Sequence, residues 1–148
     1  MAYKRIVVGT DGSDSATEAV RHAARLAAAF GADLVILTAF HPPDPAQVAR
    51  WIQEAPRDIA PLFSGTSAAE EVAEKAVQVA VAEGAKAEAS FTEGDPADTI
   101  VDSAENVGAD LVIVGNKGMT GVKRFLLGSV PDKVTHHAPC DVLIVHTT

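Results

Sequence analysis

The sequence predicts an α/β domain: an open parallel sheet of five strands in the order 3-2-1-4-5, with helices on both faces. Three observations point there. Short continuous apolar runs alternate with longer stretches whose apolar residues recur at helical spacing, as expected for buried parallel strands joined by crossover helices. The hexapeptide Gly31-Ala32-Asp33-Leu34-Val35-Ile36 returns as Gly108-Ala109-Asp110-Leu111-Val112-Ile113, each copy a glycine helix stop running into a buried strand. The length of 148 residues suits one domain spanning 1–148.

In chain order, the first strand is expected at Arg5–Thr10. Ser15-x-x-Glu18 reads as a capping box opening a helix whose apolar face is Ala16, Ala19, Val20, Ala23, Ala27 and Phe30, ended by Gly31. The second strand is Asp33–Phe40. From His41 to Gly65 the chain makes a long excursion holding five of its eight prolines and its only tryptophan. A stretch of this length is usually functional; it reads as a lid or as a partner surface, with a short helix over Gln47–Glu54.

Ser67-x-x-Glu70 opens a second helix running to Gly84, and the third strand is Lys86–Thr92. Asp95-Pro96 opens a third helix carrying Ile100, Val101, Ala104 and Val107 before Gly108. The fourth strand is Asp110–Gly115. A shorter helix runs from about Ser129 to before Pro139, and the fifth strand is Asp141–His146. Right-handed crossovers with a reversal of winding after strand three place strand four beside strand one. Ligands of open α/β sheets bind at that switch point, beyond the carboxyl ends of the strands. The rim is then Gly9-Thr10-Asp11-Gly12-Ser13 and Val114-Gly115-Asn116-Lys117-Gly118.

Composition narrows the function. Twelve Lys and Arg against twenty Asp and Glu give a net charge of −8, which repels phosphodiester backbones and anionic lipid surfaces, so neither nucleic acid nor membrane is an expected partner. One cysteine, Cys140, closes no intrachain disulfide and makes no zinc knot. No signal-type apolar region follows Met1, and a reducing cytoplasm is the expected location.

The densest chemical signal follows strand four: Gly115-x-x-Gly118, nine residues, then Gly128-Ser129 at a helix start. Glycines let backbone N–H groups approach a phosphate, and the free N–H groups at Ser129 and Val130 carry the positive end of a helix dipole. Lys117, Lys123 and Arg124 lie in this stretch, and no acidic residue occurs from Asn116 to Val130. The plain alternative is a solvated, glycine-rich connection.

This glycine pattern, the Asp11 that closes strand one (Val8-Gly9-Thr10-Asp11) and the last apolar strand resemble the universal stress protein family over essentially the whole chain. The sequence is most similar to an actinobacterial branch, through Gly9–Ser13, Leu126–Pro131 and Val142–Thr148. The resemblance implies a Rossmann-like fold and homodimers pairing through the C-terminal strand, Asp141–His146. It also implies binding of ATP or a related adenine nucleotide, with cyclic AMP bound by some members of that branch. By that likeness Gly115, Gly118, Gly128 and Ser129 hold the phosphates. Asp11 lies at the ribose and any Mg²⁺, and the backbone near Ala39 meets adenine. Asn116 and Lys117 stand where the family often has Ser followed by His or Arg.

Asp11 is also an ordinary turn or capping residue. As a ligand its carboxylate accepts ribose hydroxyls or joins a metal shell. Mg²⁺ accompanies ATP and is largely unnecessary for a cyclic monophosphate. Thr10 and Ser13 are minor candidates.

The P-loop and the dinucleotide fingerprint are both absent. A slow Mg-dependent ATPase built on Asp11 lacks an evident general base, and a nucleotide-free interaction protein of the same fold is the other alternative. Seven aromatics leave few rings to flank a flavin, and strand one supplies a single carboxylate where a phosphoacceptor receiver needs a cluster. His136 and His137 point about 100° apart on a helix, which disfavours joint metal ligation and suits a helix C-terminus. Cys140 reads as core or near-core, and His146 as part of a strand edge or subunit contact.

Overall fold

A computed structural model of the chain describes residues 3–40, 46, 49, 50, 53, 65–116 and 129–147. Five parallel strands form one sheet: β1 (Arg5–Gly9), β2 (Asp33–Phe40), β3 (Lys86–Glu93), β4 (Leu111–Gly115) and β5 (Asp141–Val145). Their order is β3-β2-β1-β4-β5, as the sequence predicts. The described helices of nine residues or more are α1 (Asp14–Phe30), α2 (Gly65–Ala82), α3 (Pro96–Val107) and α4 (Ser129–His137).

Period-two alternation divides the apolar strand residues between two cores. Ile6, Val8, Leu34, Ile36, Leu111 and Ile113 pack under α1 and α2, against Ala19, Val20, Ala23, Ala24, Ala27, Ala76 and Ala80. Val7, Val35, Leu37, Val112 and Val114 face the other way, towards Ala97, Ile100 and Ala104 of α3 and Val134 of α4. The alanine-rich helix faces bring the α1 and α2 backbones close to the sheet. Burial on both faces explains why β1, β2 and β4 read as unbroken apolar runs.

The repeated hexapeptide gives the same geometry twice. Gly31 and Gly108 both close their helices in the left-handed region at φ 67°. The next residues donate back into the helix, Ala32 N–H to Ala27 O at 2.8 Å and Ala109 N–H to Ala104 O at 2.9 Å. A Cβ at either glycine would meet nothing within 4 Å, so backbone conformation, not space, selects glycine here.

Helix starts depart from expectation in two places. Ser13, not Ser15, caps α1: its backbone is extended and its Oγ accepts from Ala16 N–H. Ser15 lies inside the first turn, and the Glu18 carboxylate pairs with Arg21. Likewise α2 begins at Gly65, two residues before Ser67, and ends at Ala82, short of Gly84. Asp95 caps α3 as expected, its carboxylate accepting from Asp98 N–H at 3.1 Å. That carboxyl is held below the ordinary aspartate range, first by the Asp98 N–H and then by the Lys133 ammonium. Lys133 reaches from α4 to Asp98 at 2.8 Å and Asp95 at 3.4 Å, joining the two helices of that face.

Strand ends shift by one residue. Thr10 leaves β1 because its Oγ1 turns back to accept from Gly12 N–H. Asp110 precedes β4, its carboxylate accepting from Lys4 and Arg5 N–H. β3 runs one residue further, to Glu93, and β5 ends before His146. Of the expected Gln47–Glu54 helix, only Ala49, Arg50 and Gln53 are described, and they are helical; the rest of His41–Ser64, Ala46 apart, lies outside the described residues.

Candidate functional site

The winding reverses between β1 and β4, so the α1 connection leaves on one face of the sheet and the α3 connection returns on the other. A crevice opens at the carboxyl ends of these strands. Gly9, Thr10 and Asp11 form one lip, Val114, Gly115 and Asn116 the other, with Ala39, next to last in β2, nearby and the first turn of α4 following. The structure brings Gly9, Thr10, Asp11, Ala39, Val114, Gly115 and Asn116 to one end of the sheet. Gly118 and Gly128, with Lys117, Lys123 and Arg124, lie outside the described residues. Ser129 opens α4, and Val130 is half-buried behind it.

The β1 lip is self-organised. Thr10 N–H donates to Leu37 O at 2.9 Å, extending the ladder one step. Thr10 Oγ1 accepts from Gly12 N–H at 3.1 Å, and Asp11 Oδ1 accepts from Ser13 N–H at 2.8 Å. Asp11 therefore performs the turn role. Its Oδ2 makes no hydrogen bond among the described residues. These bonds take the N–H groups of Gly12 and Ser13, Ser13 Oγ takes that of Ala16, and Asp14 adds a negative charge in the first turn of α1. α4 also starts at this end of the sheet, with Asp132 in its first turn, and its opening N–H groups are further donors that could meet a phosphate.

Gly9 has a packing reason of its own. A Cβ there would lie 2.6 Å from Ile100 Cδ1, so the glycine lets α3 sit down on the end of β1. On the other lip, Asn116 is fully engaged with the end of the chain. Its N–H donates to Val145 O at 2.9 Å, and its Oδ1 accepts from both Thr147 N–H and Thr147 Oγ1–H at 2.9 Å. Its Nδ2 lies 3.1 Å from His146 Nδ1. Sequence reasoning missed this link, which exists only through the β4–β5 register: Gly115 faces Val145, so Asn116 comes beside His146. Thr38 was missed as well. Its Oγ1 is buried with no partner among the described residues, on the face of β2 opposite Ala39.

Metal binding gets little support from protein groups alone. Among the described residues no cluster of three His, Cys, Asp or Glu side chains could hold an ion. Asp11 Oδ2 is a carboxylate oxygen that could join the shell of a cation arriving with phosphates. His136 sits in the last turn of α4, 3.6 Å from Asp132. Burial, then the carboxylates of Asp141 and Asp110, push the Cys140 thiol up, away from thiolate chemistry. Cys140 lies at the amino ends of the strands, remote from the crevice.

An open depression of ≈ 440 Å³ lies at that same end, lined by Arg5, Asp33, Lys86, Glu88, Val35 and Val107. Its two cations and two anions balance, and it lies where open α/β sheets do not carry ligands. The switch-point crevice is the better candidate despite that volume. No helix among the described residues is long and apolar enough to cross a membrane.

These features define a doubly wound, Rossmann-like α/β domain with a glycine-bordered crevice at its switch point. The chain belongs to the universal stress protein family, whose sequence model matches residues 2–146. The universal stress protein Rv1636 of Mycobacterium tuberculosis is 42% identical over 149 residues, covering 99% of both chains. A crystal structure of a universal stress protein in complex with cAMP superimposes with a TM-score of 0.74 at 38% identity, covering 100% of both chains. The Archaeoglobus fulgidus universal stress protein in complex with dAMP gives 0.69 at 26% identity, covering 97% of this chain and 98% of its own.

Proposed function

We propose that this chain is a cytoplasmic, single-domain regulatory protein that binds an adenine nucleotide in the crevice between β1 and β4. Gly115, Gly118, Gly128 and Ser129, with the N–H of Val130, cradle the phosphate. Asp11 faces the ribose, and the backbone at Ala39 faces adenine. Gly9, Thr10, Val114 and Asn116 complete the rim. The observation that carries this reading is the crevice itself: a switch point bordered by Gly115 and the start of α4, in a chain of negative charge that carries no carboxylate between Asn116 and Val130. Its full-length likeness to a structure holding cAMP makes cyclic AMP the first ligand to test, ahead of Mg-ATP. The protein works as a homodimer joined along β5.

The test is isothermal titration of nucleotide-stripped protein with cAMP and, separately, with ATP in the presence and absence of Mg²⁺. Metal-independent binding of cAMP marks a second-messenger receptor or sink. Tighter, Mg-dependent binding of ATP instead places Asp11 in a triphosphate site. A folded Gly115→Val protein should lose binding, because its side chain would fill the space proposed for phosphate. Unchanged affinity in that variant refutes the assignment.

A further inference from the structure

At the amino ends of the strands, opposite the crevice, α3 packs on β1 and β2 and leaves Lys86 and Glu88 of β3 exposed on its side of the sheet. Arg5, Asp33 and Lys86 are register partners across β1, β2 and β3, two residues before Val7, Val35 and Glu88. Val7 and Val35 belong to the core under α3, so period-two alternation turns the whole set towards that helix. The result is the open depression of ≈ 440 Å³, with buried Val35 as its floor and Val107, in the last turn of α3, as its wall. Arg5 Nη1 donates to Val107 O and fixes that wall. This trough arises because one helix covers two strands of three, a cause separate from the reversal of winding that opens the crevice.

The charges in the trough alternate. Paired strands stand about 4.8 Å apart, so Arg5, Asp33 and Lys86 form a row of alternating sign about 10 Å long. Glu88 follows Lys86 on the same face of β3. Opposite charges that face one another across strands ordinarily pair. Here Asp33, Lys86 and Glu88 form no side-chain ion pair or hydrogen bond among the described residues. Exposed pairs add little to stability, so keeping these groups apart costs the fold little and leaves both signs free for a ligand.

We infer that this trough is a second binding site, for an α-amino acid with an apolar side chain. A ligand of one sign meets a like charge wherever it lies along the row. A zwitterion sets its carboxylate against a cation of the row and its ammonium against the neighbouring anion, so the balance of two cations and two anions selects it. Its side chain rests on Val35 and Val107, the apolar floor and wall. The volume of ≈ 440 Å³ falls among small-molecule sites, which run from about 300 to 1,000 Å³. The site lies at the other end of the sheet from the nucleotide crevice and stands independently of that reading.

The experiment titrates the ¹⁵N-labelled full chain with L-leucine and follows the amide shifts of Asp33, Lys86 and Glu88. Saturable shifts confined to this end of the sheet are expected. Leucinamide, which lacks the carboxylate, and 4-methylpentanoate, which lacks the ammonium, should each bind several-fold more weakly than leucine. Lys86→Gln and Asp33→Asn should each weaken leucine binding about fivefold, the upper end of what one exposed charge pair supplies. Both side chains are exposed, so thermal melts of the variants should match the wild type.

Leucine that shifts no amide of the trough at tens of millimolar, single-charge analogues that bind as well as leucine, or two variants that bind it unchanged each overturn the site. Sedimentation equilibrium supplies a further check: self-association that Lys86→Gln abolishes would make this face a contact between copies of the chain and overturn the amino-acid assignment. A chain that binds leucine here but neither cAMP nor Mg-ATP keeps this site and loses the crevice reading alone.

Discussion

Glycines in this chain are selected for two different reasons, and substitution separates them. Gly31 and Gly108 sit at φ 67° with open space around them. Alanine at either should cost about 1–2 kcal/mol through the left-handed backbone alone, and trimming neighbours should restore nothing. Gly9 is not among the positive-φ glycines, but a Cβ there would lie 2.6 Å from Ile100 Cδ1. Gly9→Ala should cost about 1–3 kcal/mol by overpacking, and Ile100→Val in the same chain should recover part of it. Urea unfolding of the two single variants and the Gly9→Ala/Ile100→Val pair checks this. Equal losses in the single and double Gly9 variants would remove the packing explanation. The same division bears on the rim, where Gly9 is committed to α3 while Gly115 begins the segment assigned to phosphate.

At the scale of the element, local chemistry decides how α3 begins and how firmly it is held. Asp95 accepts from Asp98 N–H at 3.1 Å and from Lys133 at 3.4 Å. Both favour the carboxylate, so its folded pKa lies below the unfolded one. Its contribution is therefore fully present above the ordinary aspartate range and is lost as pH falls through the lowered folded value. Asp95→Asn, which keeps an acceptor for the cap, should flatten the acid limb of stability without abolishing the helix. Asp95→Ala should lose about 1 kcal/mol at neutral pH as well. Denaturant melts at neutral and acid pH resolve the two effects; an Asn variant that tracks the wild type through the acid range argues against the Lys133 contribution.

Which elements were legible follows from how local their signals are. Asp95-Pro96 and the two Gly-Ala-Asp stops carry their whole instruction within five residues, and all formed as read. The start of α1 did not, because Ser13 and Ser15 are both plausible caps. The choice fell to Ser13 because the Asp11 turn presents it extended at the helix entry. The crevice could be placed from connectivity alone. The Asn116 link could not, since its partners are 30 and 31 residues away and meet only through the β4–β5 register.

At the scale of the molecule, the two edges of the sheet differ in what they can tolerate. β3 carries Lys86 and Glu88 on one face and Glu93 on the other, charges that discourage another strand from adding to it. β5 carries only Asp141 at its start and then runs Val142-Leu143-Ile144-Val145, with Leu143 37% exposed. An apolar edge of this kind needs cover, which the proposed homodimer would supply along β5. Leu143→Asp should therefore convert a dimer to a monomer with little loss of fold, since the side chain is not part of either core. Phe91→Ser on β3, at a residue of similar exposure, should leave the dimer intact. Sedimentation equilibrium of the three proteins distinguishes the edges: a monomeric wild type removes the β5 dimer altogether, and dissociation by Phe91→Ser alone would move the interface to β3. Because the His146–Thr147 tail that holds Asn116 continues directly from β5, the proposed dimer edge and the proposed nucleotide rim are joined through that strand. Leu143→Asp monomers should accordingly also bind nucleotide more weakly than the wild-type dimer.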